Sequence, residues 1–297
     1  MSDTRRLFGC GTALVTPFAS DGALDERALR ALVDWQIDEG VHFLVPCGST
    51  GEAATMTPAE HRRVVEIVVE QANGRVPIVA GAGSNDTRKA IALSHEMRAA
   101  GATHLLHVSP MYNKPPQRGI IAHFRAIAEA TELPIVVYNV PGRTGSNIEA
   151  ETTLALAEVP NITAVKEASG NLPQIMEIIR NRPEGFDVLS GDDALTLAVM
   201  AAGGDGIVSV ISNAAPRAVA QLTEQCRAGD VTGARETHDC LAPWMRAAFI
   251  ESNPIPVKAA LAMMGRIQNV LRLPLVPLAE RHEETVRASL VTAGALA

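Results

Sequence analysis

The chain has 297 residues, of which 47% are hydrophobic and 20% charged, enough apolar side chain for one large domain or a domain with an extension. Its net charge is −7, its basic residues are dispersed, and it holds only two Trp and two Tyr, which argues against a nucleic-acid-binding surface. No apolar run approaches the roughly 20 residues of a membrane helix, and residues 1–6 lack the basic-then-apolar pattern of a signal peptide, so the expected setting is cytoplasmic.

Short apolar segments recur at intervals of roughly 25–35 residues, at 11–18, 42–48, 76–83, 104–110, 134–141, 162–169, 186–191 and 206–212. Each is rich in Val, Ile and Ala and bounded by Gly, Pro, Ser or Asn. Continuous apolar runs of this kind suit strands covered on both faces, as in a parallel sheet. Helical patterns lie between them. Residues 24–39 form one, with Asp25 as N-cap and Gly40 just past the end. Thr57-Pro58-Ala59-Glu60 opens another, with a capping Thr, Pro at the first position and Glu at the third. Residues 86–100, 117–129, 171–180, 193–202 and 215–227 continue the alternation.

Eight strands alternating with helices predict an α/β protein, a (β/α)8 TIM barrel over residues 1–228. Residues 229–297 read as a C-terminal helical extension, with helices around 231–248, 256–265 and 278–293. A doubly wound sheet is the competing architecture. It lacks support, because no GxGxxG follows the first strand and Gly81-Ala82-Gly83 has no third glycine.

The sixth strand carries the most informative residue. In Ile162-Thr163-Ala164-Val165-Lys166-Glu167-Ala168-Ser169, alternation puts Ile162, Ala164, Lys166 and Ala168 on one face, apolar apart from one ammonium. Lysine is scarce here: the chain has only Lys89, Lys114, Lys166 and Lys258. Unlike arginine, lysine can lose its proton and form a Schiff base. The bland alternative is a snorkelling or ion-paired lysine, with Glu167 as the nearby anion.

Barrel enzymes work at the C-terminal ends of their strands. Those ends carry Gly48-Ser49-Thr50-Gly51-Glu52, then Ser109-Pro110-Met111-Tyr112-Asn113, then Tyr138-Asn139-Val140-Pro141-Gly142-Arg143-Thr144-Gly145, and Ser190-Gly191-Asp192-Asp193. Tyr112 and Tyr138 are the only tyrosines, and a phenol can pass protons. Ser49 and Thr50, in a glycine-flanked turn, can hold a carboxylate or merely cap a helix. Arg143 can grip a second carboxylate or sit idle at the surface. Asp192-Asp193 most simply caps the next helix. Cys47 is near the rim without an activating histidine, and the four cysteines form no CxxC pair, so they read as reduced structural thiols. His104 and His107, three apart on a strand, fall on opposite faces and do not make a metal pair.

Taken together, the 48–52 and 138–145 motifs and Val165-Lys166-Glu167-Ala168-Ser169-Gly170-Asn171 resemble the dihydrodipicolinate synthase / N-acetylneuraminate lyase family. The resemblance covers nearly the whole chain, including Ser252-Asn253-Pro254-Ile255-Pro256-Val257-Lys258. It implies class I, pyruvate-dependent barrel chemistry with a covalent imine on Lys166 and no metal or organic cofactor. Tyr138 is then the proton-transfer group, and Ser49 and Thr50 hold the pyruvate carboxylate. Tyr112 completes the relay from a neighbouring subunit. Arg143 binds the second substrate's carboxylate, and Gly191 and Val208 line the pyruvate pocket. Family members are commonly tetramers built as dimers of dimers, so a homotetramer is implied. The chain is most similar to the branch that condenses pyruvate with L-aspartate 4-semialdehyde in lysine and diaminopimelate biosynthesis.

Two departures from that branch stand out, one in the turn after the second strand and one bearing on regulation. Ser49 stands where it usually carries Thr, and serine is frequent there in sugar-acid lyases. This keeps open an aldolase or dehydratase acting on 2-keto-3-deoxy sugar acids or 4-hydroxy-2-oxoglutarate. Lys89 and Met111 replace the acidic and tyrosine residues of lysine-sensitive relatives, while His61 and Asn85 are retained, implying weak or absent inhibition by L-lysine. Two further readings compete. A phosphosugar enzyme would use Gly203-Gly204-Asp205-Gly206 as its phosphate cradle, against which Asp205 argues. A non-catalytic keto-acid binder or transcriptional regulator on this scaffold would have no need of Lys166, Tyr138 and Tyr112 together.

Overall fold

The computed structural model describes residues 6–296; residues 1–5 and Ala297 lie outside the described residues, and with them most of the stretch read for a leader. Eight strands, β1 (Gly9–Ala13), β2 (Phe43–Val45), β3 (Val79–Gly81), β4 (His104–Val108), β5 (Ile135–Asn139), β6 (Ile162–Glu167), β7 (Asp187–Ser190) and β8 (Gly206–Ser209), pair in parallel. Their order is β2-β1-β8-β7-β6-β5-β4-β3. A parallel bridge between Leu44 and Ile78 brings β3 back to β2 and completes the ring. The fold is the expected (β/α)8 barrel with C-terminal helices.

Local chemistry accounts for the helices around it. They are α1 (Glu26–Asp38), α2 (Pro58–Ala72), α3 (Thr87–Ala99), α4 (Gln117–Ala130), α5 (Pro141–Thr144), α6 (Ala150–Ala157), α7 (Leu172–Asn181), α8 (Thr196–Ala201) and α9 (Pro216–Ala228). Asp25 accepts from Ala28 N at 2.9 Å and starts α1. At α2 the reciprocal pair forms: Thr57 N donates to Glu60 Oε2 at 2.9 Å, and Glu60 N donates to Thr57 Oγ1 at 3.3 Å. The sequence reading names no helix where α6 lies. It has eight residues, two of them the β-branched Thr152 and Thr153, and no side-chain cap at Glu149, so its local signals are weak.

Side chains sort into a barrel interior and surrounding shells. Ala13, Phe43, Val45, Leu106, Val136, Ala164 and Leu189 pack inside with Tyr138. Ile162 departs from the predicted alternation: it packs in the outer shell beside Ile135 and Val165. The register between β5 and β6 shifts at Ile135 and Val136, and this irregularity reverses the face of Ile162 while Ala164 stays inside.

The extension consists of α10 (Val231–Ala247), α11 (Ile255–Met263) and α12 (Glu280–Thr292). The expected boundary falls at Gly229, the left-handed C-cap of α9. Across it the core is continuous: Trp244, Val257, Leu261 and Leu290 share one apolar cluster with Leu14, Val33 and Leu44 of the barrel. Among the described residues, no helix is long and apolar enough to cross a membrane.

Candidate active site

The strands converge on a cavity of about 370 Å³ at their C-terminal ends. Its lining includes Ser49, Thr50, Tyr138, Arg143, Lys166 and Gly191. Six of the eight residues singled out from the sequence are therefore brought together. The other two are not. Val208 is packed in the interior cluster and does not line the cavity, where Val210 does. Tyr112 is 89% exposed, on a left-handed backbone with φ of 74°, its N–H donating to Thr144 O at 3.2 Å.

Lys166 and Tyr138 sit directly opposite each other in the pairing of β6 with β5. The amine lies 4.2 Å from the centroid of the phenol ring. Lys166 is only 5% exposed, and among the described residues no carboxylate lies within ion-pair distance of it. Burial pulls its pKa from 10.5 down to about 7; the charge of Asp193 opposes the shift and that of Arg143 adds to it. Burial pushes the Tyr138 hydroxyl up to about 12, so it stays protonated at neutral pH. Glu167, the anion of the bland reading, turns to the other side of the sheet. Its carboxylate accepts from Asn139 Nδ2 at 3.1 Å, Ser169 N at 2.7 Å and Gln174 Nε2 at 3.2 Å.

Space beside the amine depends on Gly191. A Cβ there would stand 2.7 Å from Ala168 Cβ and 3.1 Å from Lys166 Cε. Glycine leaves the room that an adduct on Nζ requires.

Opposite the lysine, the turn after β2 presents Ser49 and Thr50. Thr50 is buried, and its Oγ1 accepts from Asn253 Nδ2 at 2.9 Å. Arg143, on the four-residue α5, donates from Nη2 to Asn253 O at 3.1 Å. Asn253 thus joins two candidate binding residues, and Met245 and Phe249 line the cavity with it. Reasoning from strand ends misses all three, since they belong to the extension. Only the 252–258 segment of the resemblance signalled one of them.

The remaining candidates resolve locally. Asp192 caps as expected, accepting from Ala194 N at 3.0 Å. Asp193 does not: it is buried and accepts from Ser209 Oγ at 2.5 Å and Val210 N at 3.0 Å. Burial raises the pKa of the Cys47 thiol, which donates to His61 O, so it is no ready nucleophile. His107 Nε2 meets Ser94 Oγ at 3.2 Å and His104 Nδ1 meets Thr103 Oγ1 at 2.9 Å. The glycine run at 203–206 precedes β8, at the barrel end away from the cavity, and Asp205 there pairs with Arg182.

The chain matches the model of the dihydrodipicolinate synthetase family over residues 6–293. It belongs to that family. A 4-hydroxy-tetrahydrodipicolinate synthase of Koribacter versatilis is 52% identical over 98% of this chain and 97% of its own length. A chloride-inhibited dihydrodipicolinate synthase from Acinetobacter baumannii, solved in complex with pyruvate, superposes with a TM-score of 0.96 at 43% identity, covering 98% of this chain and 100% of that one. The enzyme from Cyanidioschyzon merolae with lysine bound gives 0.94 at 41% identity, covering 97% of this chain and 99% of that one.

A lysine with a pKa near 7 makes a pH prediction of definite sign. Only the neutral amine attacks a carbonyl, and burial moves its protonation from about 10.5 to about 7. Pyruvate-dependent cyanoborohydride inactivation should slow about tenfold per pH unit below about 7 and level off above about 8. A rate still climbing steeply between pH 9 and 10 would show an ordinary, solvated lysine.

Proposed function

We propose that the chain condenses pyruvate with L-aspartate 4-semialdehyde, through an imine on Lys166, to give 4-hydroxy-tetrahydrodipicolinate. The observation that carries this is the buried, unpaired Lys166 amine, held beside a protonated phenol and a glycine-made gap. Its support is the family and the relatives named for that reaction.

The chemistry follows from the groups present. Lys166 attacks the pyruvate carbonyl, and the carbinolamine loses water to give a protonated imine. That imine is an electron sink, so a methyl proton leaves and an enamine forms. The enamine carbon attacks the aldehyde, whose oxygen takes up a proton. The substrate's own amine then adds to the imine carbon and expels Lys166, closing a six-membered ring. Tyr138 moves the protons at the carbinolamine. Ser49 and Thr50 hold the pyruvate carboxylate, Ser49 keeping the hydroxyl of the more usual Thr without its rotamer restriction. Arg143 takes the semialdehyde carboxylate, Gly191 provides clearance, and Val208 supports the pocket from the interior. The imine itself supplies the activation, so the reaction calls for no metal or organic cofactor.

Tyr112 enters from a second copy of the chain. An exposed tyrosine held on a left-handed backbone fits a residue that another subunit covers. We place the enzyme in the cytoplasm as a homotetramer of paired dimers, with pyruvate and a small aldehyde as its only substrates.

Turnover of pyruvate with L-aspartate 4-semialdehyde, run beside sugar aldehydes, tests the reaction. Rapid consumption with the semialdehyde is expected, with none by Lys166→Ala protein; faster reaction with a sugar aldehyde would move the chain to the sugar-acid branch. Mixing inactive Tyr112→Phe and Lys166→Ala subunits should restore about a quarter to a half of the activity through hybrid sites. No recovery after proven subunit exchange would refute sharing. Inhibition by L-lysine should be weak, less than about twofold at millimolar effector, because exposed Lys89 repels its ammonium. Strong sub-millimolar inhibition in an activity titration would overturn that expectation.

A further inference from the structure

The family motif after β2 ends in Glu52, a residue that the proposed chemistry leaves without a task. Glu52 closes the 48–52 turn on a left-handed backbone, φ of 57°, with its N–H donating to Ser49 O at 3.2 Å. Its side chain is 0% exposed and makes an ion pair with Lys258 Nζ at 2.6 Å. Its other oxygen accepts from Arg272 N at 3.1 Å. Lys258, also 0% exposed, donates to Thr16 O at 2.9 Å. Thr16 in turn donates from Oγ1 to Gly51 O at 2.8 Å. Three segments far apart in sequence, following β1, following β2 and along α11, are thus clasped around one turn.

Stability alone is a poor account of this arrangement. Burying two opposite charges forfeits their hydration, and well-packed apolar residues of similar volume serve a core as well or better. A buried ion pair differs from such residues in being directional. It fixes where the carboxylate of Glu52 lies, and so the pose of a turn whose left-handed backbone persists only if its surroundings over-determine it. The cavity side of the same turn carries Ser49 and Thr50. The segment that carries Lys258 also carries Asn253, whose Nδ2 donates to Thr50 Oγ1.

We propose that Glu52 and Lys258, with Thr16, are positioning residues for pyruvate: they set the height of the Ser49 and Thr50 cradle over Lys166, and hence pyruvate affinity, without touching substrate. This rests on the reading of Ser49 and Thr50 as the carboxylate cradle. The clasp places pyruvate's carboxylate while burial of Lys166 sets the reactivity of the amine, so the two functions separate experimentally.

The test is the pyruvate concentration that half-saturates cyanoborohydride trapping, together with the pH profile of trapping at saturating pyruvate. Ser49→Ala is the control for the cradle: an unchanged half-saturation there would remove the cradle reading, and the clasp's proposed role with it. Glu52→Gln/Lys258→Met removes both charges together, leaving neither uncompensated. This double variant should unfold near the wild-type temperature and keep the wild-type pH profile, while its half-saturating pyruvate rises about tenfold, the scale of one lost hydrogen bond. Folded double variant with wild-type half-saturation would overturn the proposal, since a purely structural role lowers the amount of folded enzyme but not its affinity. If that variant does not fold, Thr16→Val decides. It leaves the ion pair in place, cuts one tether to the turn and should raise half-saturation about threefold; no change would again overturn the proposal.

Discussion

Taking the Lys166 amine out of water is the constraint on which the site depends. Moving its pKa from 10.5 to about 7 amounts to roughly 5 kcal/mol against the charged form, at about 1.4 kcal/mol per unit. Only an environment with little polar surface can impose that. A closed parallel barrel provides it, because strand neighbours on both sides turn apolar side chains inward. Ala164 lies below the lysine, and the strands flanking β6 contribute Tyr138 and Leu189 at its level. The same chain buries a second lysine in a different setting. Lys258 is equally enclosed but has Glu52 at 2.6 Å and Thr16 O at 2.9 Å. Burial lowers its pKa too, yet the Glu52 charge opposes the shift at contact distance. One lysine is held in an ion pair that ties segments together; the other has no carboxylate beside it, and burial makes its neutral, reactive form accessible.

What keeps Lys166 unpaired is as much a matter of where the acids go as of where the apolar groups are. Glu167, the next residue, turns outward and is occupied by Asn139, Ser169 and Gln174. Asn139 Oδ1 also accepts from Ile148 N at 2.9 Å, and Asn147 donates to Gln174 Oε1 at 2.8 Å. This network fixes the segment that follows α5, the helix that carries Arg143, so the acid that could have neutralised the lysine instead anchors structure at the rim of the cavity. The two-residue period of the strand is what makes both roles available to adjacent residues.

Much of this was legible in the sequence. Apolar runs at regular spacing give the barrel because parallel strands buried on both faces leave that composition. A solitary lysine in such a run is conspicuous because its energetic cost is high. What the sequence hides is set by geometry between distant segments. The face of Ile162 depends on a register irregularity against β5, which alternation along one strand does not encode. Helix α6 owes its existence to packing on its neighbours rather than to caps. Asn253 reaches Thr50 across 203 positions of sequence. The choice between Asp192 and Asp193 was also hidden: the sequence shows two equivalent acids, whereas the fold makes one a cap and buries the other against Ser209 and Val210.

That buried Asp193 bears on why desolvation, rather than any single neighbour, governs the amine. Burial raises the pKa of Asp193 to about 6, with its hydrogen bonds to Ser209 and the backbone of β8's C-terminal end opposing the rise. Ionised, it favours protonated Lys166; Arg143, at the open side of the cavity, favours the neutral amine. The two act on Lys166 in opposite senses and neither makes an ion pair with it. The residual bias therefore comes from the enclosing barrel. An amine governed by enclosure keeps its low pKa while substrates of differing charge come and go, which an amine tuned by one adjacent cation would do only as long as that cation stayed unengaged. Arg143 is thereby left available to bind a carboxylate without taking reactivity away from Lys166.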